Sequence, residues 1–141
     1  MSSVTRTQKK VQDILAAEFG SVRVGADGMI RIPFESTIIN IEVEEWLNDQ
    51  SIVVLNAVIA TDSKSQPGIY EWINQTNSSL RFGSVYHLAG KSNITLLTYS
   101  MLGDYLDPAE MHNALKGVAL LADKLDDEFV AKFGGKRFSD Q

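Results

Sequence analysis

The chain contains no cysteine, which excludes disulfides, thiolate metal sites and cysteine nucleophiles together. Histidine is nearly as scarce. The two that occur, His87 and His112, lie far apart and fit no metal-ligand spacing, so no metal is expected. Positive charge is thin as well: 13 basic residues against 18 acidic ones leave a net charge of −5. Non-specific nucleic-acid binding needs clustered Lys and Arg to release counterions from phosphate, and the clusters here, "RTQKK" and "GGKRF", are small. No nucleic-acid partner is expected. Nothing approaches the ~20 apolar residues that span a bilayer, and "MSSVTRTQKK" has no apolar signal core. These absences predict a cytoplasmic protein without a membrane partner. The N-x-[ST] triplets starting at Asn74, Asn77 and Asn93 then read as chance. No G-x-S-x-G elbow surrounds a serine, and no catalytic residue is nominated.

What is present reads as one domain, residues 1–141, large enough to bury a core without staples. Residues 4–19 place Val4, Val11, Ile14, Leu15 and Phe19 near one helical stripe, and Gly20 supplies a stop. In "SVRVGADGMIRIPF", Asp27-Gly28 separates two short β-prone runs and predicts a hairpin. Pro33 belongs at an edge or a strand end, because it donates no ladder hydrogen bond. "STIINIEVEEW" and "SIVVLNAVIAT" read as two further strands around the turn "LNDQ". A short helix follows in "IYEWINQTNSSL", starting near Ser65, and then two strands in "RFGSVYHLAGKSNITLLTYSML". The last helix has explicit ends: Asp107 as N-cap, Pro108 in the first turn, Glu110 completing a capping box, and Gly134-Gly135 as the stop. The order α-β-β-β-β-α-β-β-α, with short turns between strands, predicts an α+β fold with an antiparallel sheet flanked by helices.

One short motif points at a named chemistry. Ala89-Gly90-Lys91-Ser92 resembles the end of a phosphate-binding loop. The full pattern G-x-x-x-x-G-K-[ST] fails, because the position that needs the first glycine is Val85. Context fails too. A phosphate loop must lead into a helix whose N–H groups face the anion, whereas "NITLLTYSML" is strand-like. The segment is a polar hairpin turn.

The strands carry more apolar surface than one covered face requires. Val53, Leu55, Ala57 and Ile59 form one face, yet Ile52, Val54 and Val58 remain on the other. Thr95, Leu97, Tyr99 and Met101 likewise oppose Ile94, Leu96, Thr98 and Leu102. A sheet with one wet face alternates more cleanly, so either helices cover both faces or the second meets another polypeptide. Ile38, Val54, Val58 and Trp46 mark that candidate partner surface, with Ile39, Leu55 and Ile59 as their inward neighbours. Glu42 and Glu44 share a strand face and could act as a carboxylate pair or bind a hard cation, although a solvated strand face is the far commoner explanation. Trp46, Tyr70 and Trp72 flank the middle loop as partner anchors or as packing. Met111, Leu115, Val118, Ala122, Leu125, Phe129 and Phe133 form a stripe on a helix roughly 40 Å long. That helix either follows the sheet's diagonal or reaches a second subunit.

From "VQDILAAEFG" to "FVAKFGG" the chain resembles the YbjN-like family of bacterial sensory transduction regulators, and related domains with the type III secretion chaperone fold. The resemblance rests on the element order, on the acidic strand "IINIEVEEW" followed by the apolar "SIVVLNAVIAT", and on "WINQTNSSLRFGSVYHL". It implies an antiparallel sheet flanked by helices, a homodimer, and binding of peptides or partner proteins, with no catalytic residues or cofactor to carry over. The expected function is a non-catalytic protein- or peptide-binding adaptor, chaperone-like or regulatory. The alternatives are a small-molecule-binding domain or small enzyme with a pocket between sheet and helices, and a structural dimer without a client.

Overall fold

The computed structural model describes residues 1–20, 22–90 and 92–140. Helix α1 (Ser3–Phe19) buries Val11 and Leu15 and ends at Gly20, whose φ of +81° suits glycine. Five strands follow in chain order: β1 (Ile30–Phe34), β2 (Thr37–Trp46), β3 (Gln50–Ala60), β4 (Ser84–Leu88) and β5 (Ile94–Leu102). Helix α2 (Pro67–Ser79) separates β3 from β4, and α3 (Pro108–Phe133) follows β5. A 3-10 turn spans Phe138–Asp140. The order is α-β-β-β-α-β-β-α, one strand fewer than the sequence suggests.

The missing strand is the arm before Asp27-Gly28. The turn itself forms: Gly28 takes φ +81°, its N–H donates to the Gly25 carbonyl, and Asp27 Oδ1 accepts the Met29 N–H at 3.0 Å. Among its described residues the arm contributes only one bridge, Val24 to Ile30. It offers two apolar residues, Val22 and Val24, and Val24 stays exposed, so too little burial offsets the entropy of ordering a sixth strand. Ser21, at the start of that arm, lies outside the described residues. Helix α2 begins at Pro67, not near Ser65, since proline suits the first helical turn.

The sheet is antiparallel throughout, in the order β1-β2-β3-β5-β4. Proline 33 sits on the edge strand β1, as its missing donor requires. Strand β3 is central, and its register places Val53, Leu55 and Ala57 between Val43, Ile41 and Ile39 of β2 and Met101, Tyr99 and Leu97 of β5. All three helices pack on this face. The α3 stripe from Met111 to Phe129 is buried against it within the chain, so the helix's length follows the sheet. Its ends match the expectation: Asp107 accepts the Glu110 N–H at 2.8 Å, and the Gly134 N–H donates to Val130. Trp72 of α2 is core, edge-on to Phe129 at 5.2 Å, which removes it as a partner anchor.

One end of the covered face is closed by a polar seam. The Thr7 and Ser51 hydroxyls are 2.6 Å apart, Ser3 Oγ donates to Asp104 Oδ1 at 2.6 Å, and the Ser51 N–H donates to Asp104 Oδ2 at 2.9 Å. Hydrogen bonds from Ser3 and Ser51 hold the Asp104 carboxyl below its ordinary value. A Cβ on Gly103 would lie 2.5 Å from Ser51 Oγ, so glycine is the residue that lets α1 approach this loop.

Candidate functional site

The pleat of β2 and β3 gives the sheet a second face, over which no helix packs among the described residues. It carries Ile38, Asn40, Glu42, Glu44 and Trp46 from β2, and Ile52, Val54, Asn56 and Val58 from β3. Strands β5 and β4 add Leu96, Leu102 and Tyr86. The four residues nominated from sequence, Ile38, Val54, Val58 and Trp46, therefore share one bare surface. They are not equally available. Val54 and Val58 are only 8% and 7% exposed because neighbouring side chains shield them in the central strand. Trp46 is 44% exposed and Leu102 50%, so contact area lies toward the ends of the face.

Two polar features interrupt this surface. Asn40 and Asn56 lie directly opposite each other, and their Oδ1 atoms are shielded without a hydrogen-bond donor. Glu42 is raised above its ordinary value by burial first and by the neighbouring Glu44 second. Burial, with the Glu42 charge behind it, also raises Tyr86. Among the described residues no group of His, Cys, Asp and Glu could hold a metal ion. Glu42 is half-buried and Glu44 exposed, at the edge of an apolar face.

The other sequence candidates resolve plainly. His87 is a hydrogen-bonded sheet histidine: Nδ1 meets Thr95 Oγ1 at 2.8 Å, Nε2 meets Ser65 Oγ at 2.9 Å, and burial lowers its pKa. His112 is exposed and pairs with Glu18 at 2.6 Å. Residues 89–93 connect β4 to β5, paired from Leu88–Ile94 onward, so strand follows strand where a phosphate loop needs a helix. Lys91 itself lies outside the described residues.

A second surface was missed from sequence. Between the N-terminal half of α3 and the segment 79–82, the helix layer parts and leaves a groove of about 440 Å³ over Leu97 and Tyr99. Leu80 and Phe82 form one wall, and Ala114, Gly117, Val118 and Leu121 form the other. Gly117 sits in mid-helix, where glycine costs about 1 kcal/mol against alanine. A Cβ there would meet nothing within 4 Å, so packing does not demand the glycine. The signal was present in Ala114 and Leu121, which widen the main stripe of α3 beside Val118. Arg81, Glu110 and Asn113 stand at the rim, all exposed.

Among the described residues no helix is long and apolar enough to cross a membrane. Among curated proteins none matches the chain. Among solved structures, a chain of the crystal structure of the ExsC–ExsE complex superposes with a TM-score of 0.67 at 16% sequence identity, covering 90% of this chain and 96% of that one. At that identity the likeness is one of fold, and it accords with the architecture expected from the element order. Residues 5–141 match the family described as T3SS (YopN, CesT) and YbjN peptide-binding chaperone 1, and the chain belongs to that family.

Proposed function

We propose that the chain is a cytoplasmic peptide-binding chaperone or adaptor that seats apolar client side chains in the groove between α3 and residues 79–82. Membership of a peptide-binding chaperone family supplies the class of ligand. The observation that carries the assignment to the groove is its chemistry. Its walls and floor are apolar, and its polar groups stand exposed at the rim. A pocket for a small polar metabolite would instead turn a few buried polar groups inward. The bare sheet face serves a different contact, a second copy of the chain, with Ile38, Ile52, Trp46 and Leu102 supplying the buried area.

The test fills the groove without harming the fold. Gly117→Leu replaces a poor helix former by a good one and projects its side chain into the groove. The variant melts at or above the wild-type temperature, and its affinity for an extended peptide bearing aromatic and aliphatic anchors falls about tenfold, roughly 1.4 kcal/mol. Unchanged peptide affinity in a folded Gly117→Leu protein removes the groove as the client site.

A further inference from the structure

Serine 36 occupies the turn between β1 and β2, and two aspartates of α3 converge on it from 87 and 90 residues away. The Ser36 hydroxyl lies between Asp123 Oδ1 and Asp126 Oδ2, within hydrogen-bond reach of both. The Ser36 N–H also points at Asp123 Oδ1, at 3.4 Å. A serine hydroxyl carries one proton and can donate it to one acceptor at a time. If both carboxyls were ionised, one of the two contacts would set oxygen against oxygen with no proton between them.

The surroundings say which carboxyl holds the extra proton. Asp123 is half-buried and faces the Ser36 N–H as well as the hydroxyl. Asp126 is fully buried, the sole ionisable residue so placed among the described residues, and its Oδ1 has no hydrogen-bond partner. An ionised carboxylate with a bare oxygen in the interior is costly, whereas the neutral acid leaves only a carbonyl unpaired. Asp123 and Asp127 on its own helix disfavour ionisation, and Arg137 of the C-terminal segment favours it. Arg137 is already bonded to Asp127 at 2.6 Å and to Asp140 at 3.1 Å. The β1–β2 turn brings neutral Ser36 and the exposed Glu35, and the residues of β2 and β3 buried beneath α3 are uncharged.

We propose that Asp126 is held as the neutral acid and donates to Ser36 Oγ, which donates to ionised Asp123, and that this relay is a proton-dependent latch joining the β1–β2 turn to α3. The C-terminal segment closes over the same turn. The Ser139 N–H donates to the Ser36 carbonyl at 3.2 Å, and Lys136 bridges Thr61. Ionising Asp126 removes the relay proton, sets two carboxylates against one hydroxyl, and loosens the turn together with the segment 136–140.

The pKa of Asp126 is raised from 3.8 to about 6, with burial as the first cause. A folded-state pKa above the unfolded one means that the folded state holds the proton more tightly. The stabilisation is complete below the unfolded value and is lost as pH rises through about 6. The decisive measurement is the carboxyl-carbon NMR titration of Asp126 in the unaltered protein, joined to amide exchange of residues 34–37 and 136–140. A midpoint near 6, with faster exchange in both segments above it after correction for intrinsic rates, supports the latch. A midpoint in the ordinary aspartate range overturns it. Asp126→Asn, whose amide can still donate to Ser36 Oγ, flattens the fall in melting temperature between about pH 5 and pH 7.5. A folded Asp126→Asn protein with the wild-type pH slope also overturns the latch. Asp127→Asn, which removes a like charge and releases Arg137, moves the fall to lower pH without abolishing it.

Discussion

The two faces of the sheet are built from the same strands and carry similar side chains, yet they are packed differently. On the covered face Leu55 and Ile39 are fully buried beneath helices, and the core is continuous from α1 to α3. On the bare face Val54 and Val58, one step along the same strand, are shielded only by their neighbours within the sheet. Low exposure therefore has two physical origins here. One is packing between layers, where removing atoms opens a cavity. The other is lateral shielding, where water can enter the space that a smaller residue leaves. Apolar character alone does not distinguish them.

Four substitutions would break or sharpen that contrast. The largest effect is expected for Leu55→Ser, which opens a cavity between sheet and helices and should cost about 2–5 kcal/mol in a denaturant melt. Val54→Ser, on the bare face, should cost well under half as much. Equal losses would show that both faces are ordinary core. Next comes Gly103→Ala at the polar seam. Its Cβ would press on Ser51 Oγ and on Thr7, and overpacking of this kind costs about 1–3 kcal/mol. A neutral Gly103→Ala in the same melts would mean that α1 is free to shift away from the sheet. The smallest effect on folding is expected for Ile38→Asp, within about 1 kcal/mol, because no helix covers that position. Its consequence should appear in light scattering instead. The wild type is expected at about twice 15.6 kDa, and the variant at the monomer mass. A dimer that survives Ile38→Asp would place self-association elsewhere.

The legible parts of this protein were those set by neighbours in sequence. The caps of α3, the Asp27-Gly28 turn and the alternation along β2 and β3 depend on residues a few positions apart, and each appears where the pattern placed it. The failed strand before Gly25 shows the limit of this reasoning. A turn can be read locally, but an edge strand survives only if its apolar residues find a surface to cover. Trp72 shows the same limit from the other side, since its spacing fitted an anchor as well as a core residue. The groove escaped notice because its walls come from α3 and from the segment after α2, which are far apart in sequence.

Sequence by itself determined three helices and five strands, the ends of α3, and the sets of residues that share a face, because hydrogen-bond geometry imposes a period of two on strands and 3.6 on helices. Tertiary structure decided which face the helices cover, since both faces of β3 and β5 are apolar and periodicity has no sign. It also decided that β5 lies between β3 and β4, an order that consecutive pairing does not predict. The meeting of Ser36 with Asp123 and Asp126 belongs to the same class. Such contacts are fixed by how a long chain closes on itself, and a proton shared there is a property of the closed chain, absent from any local stretch of it.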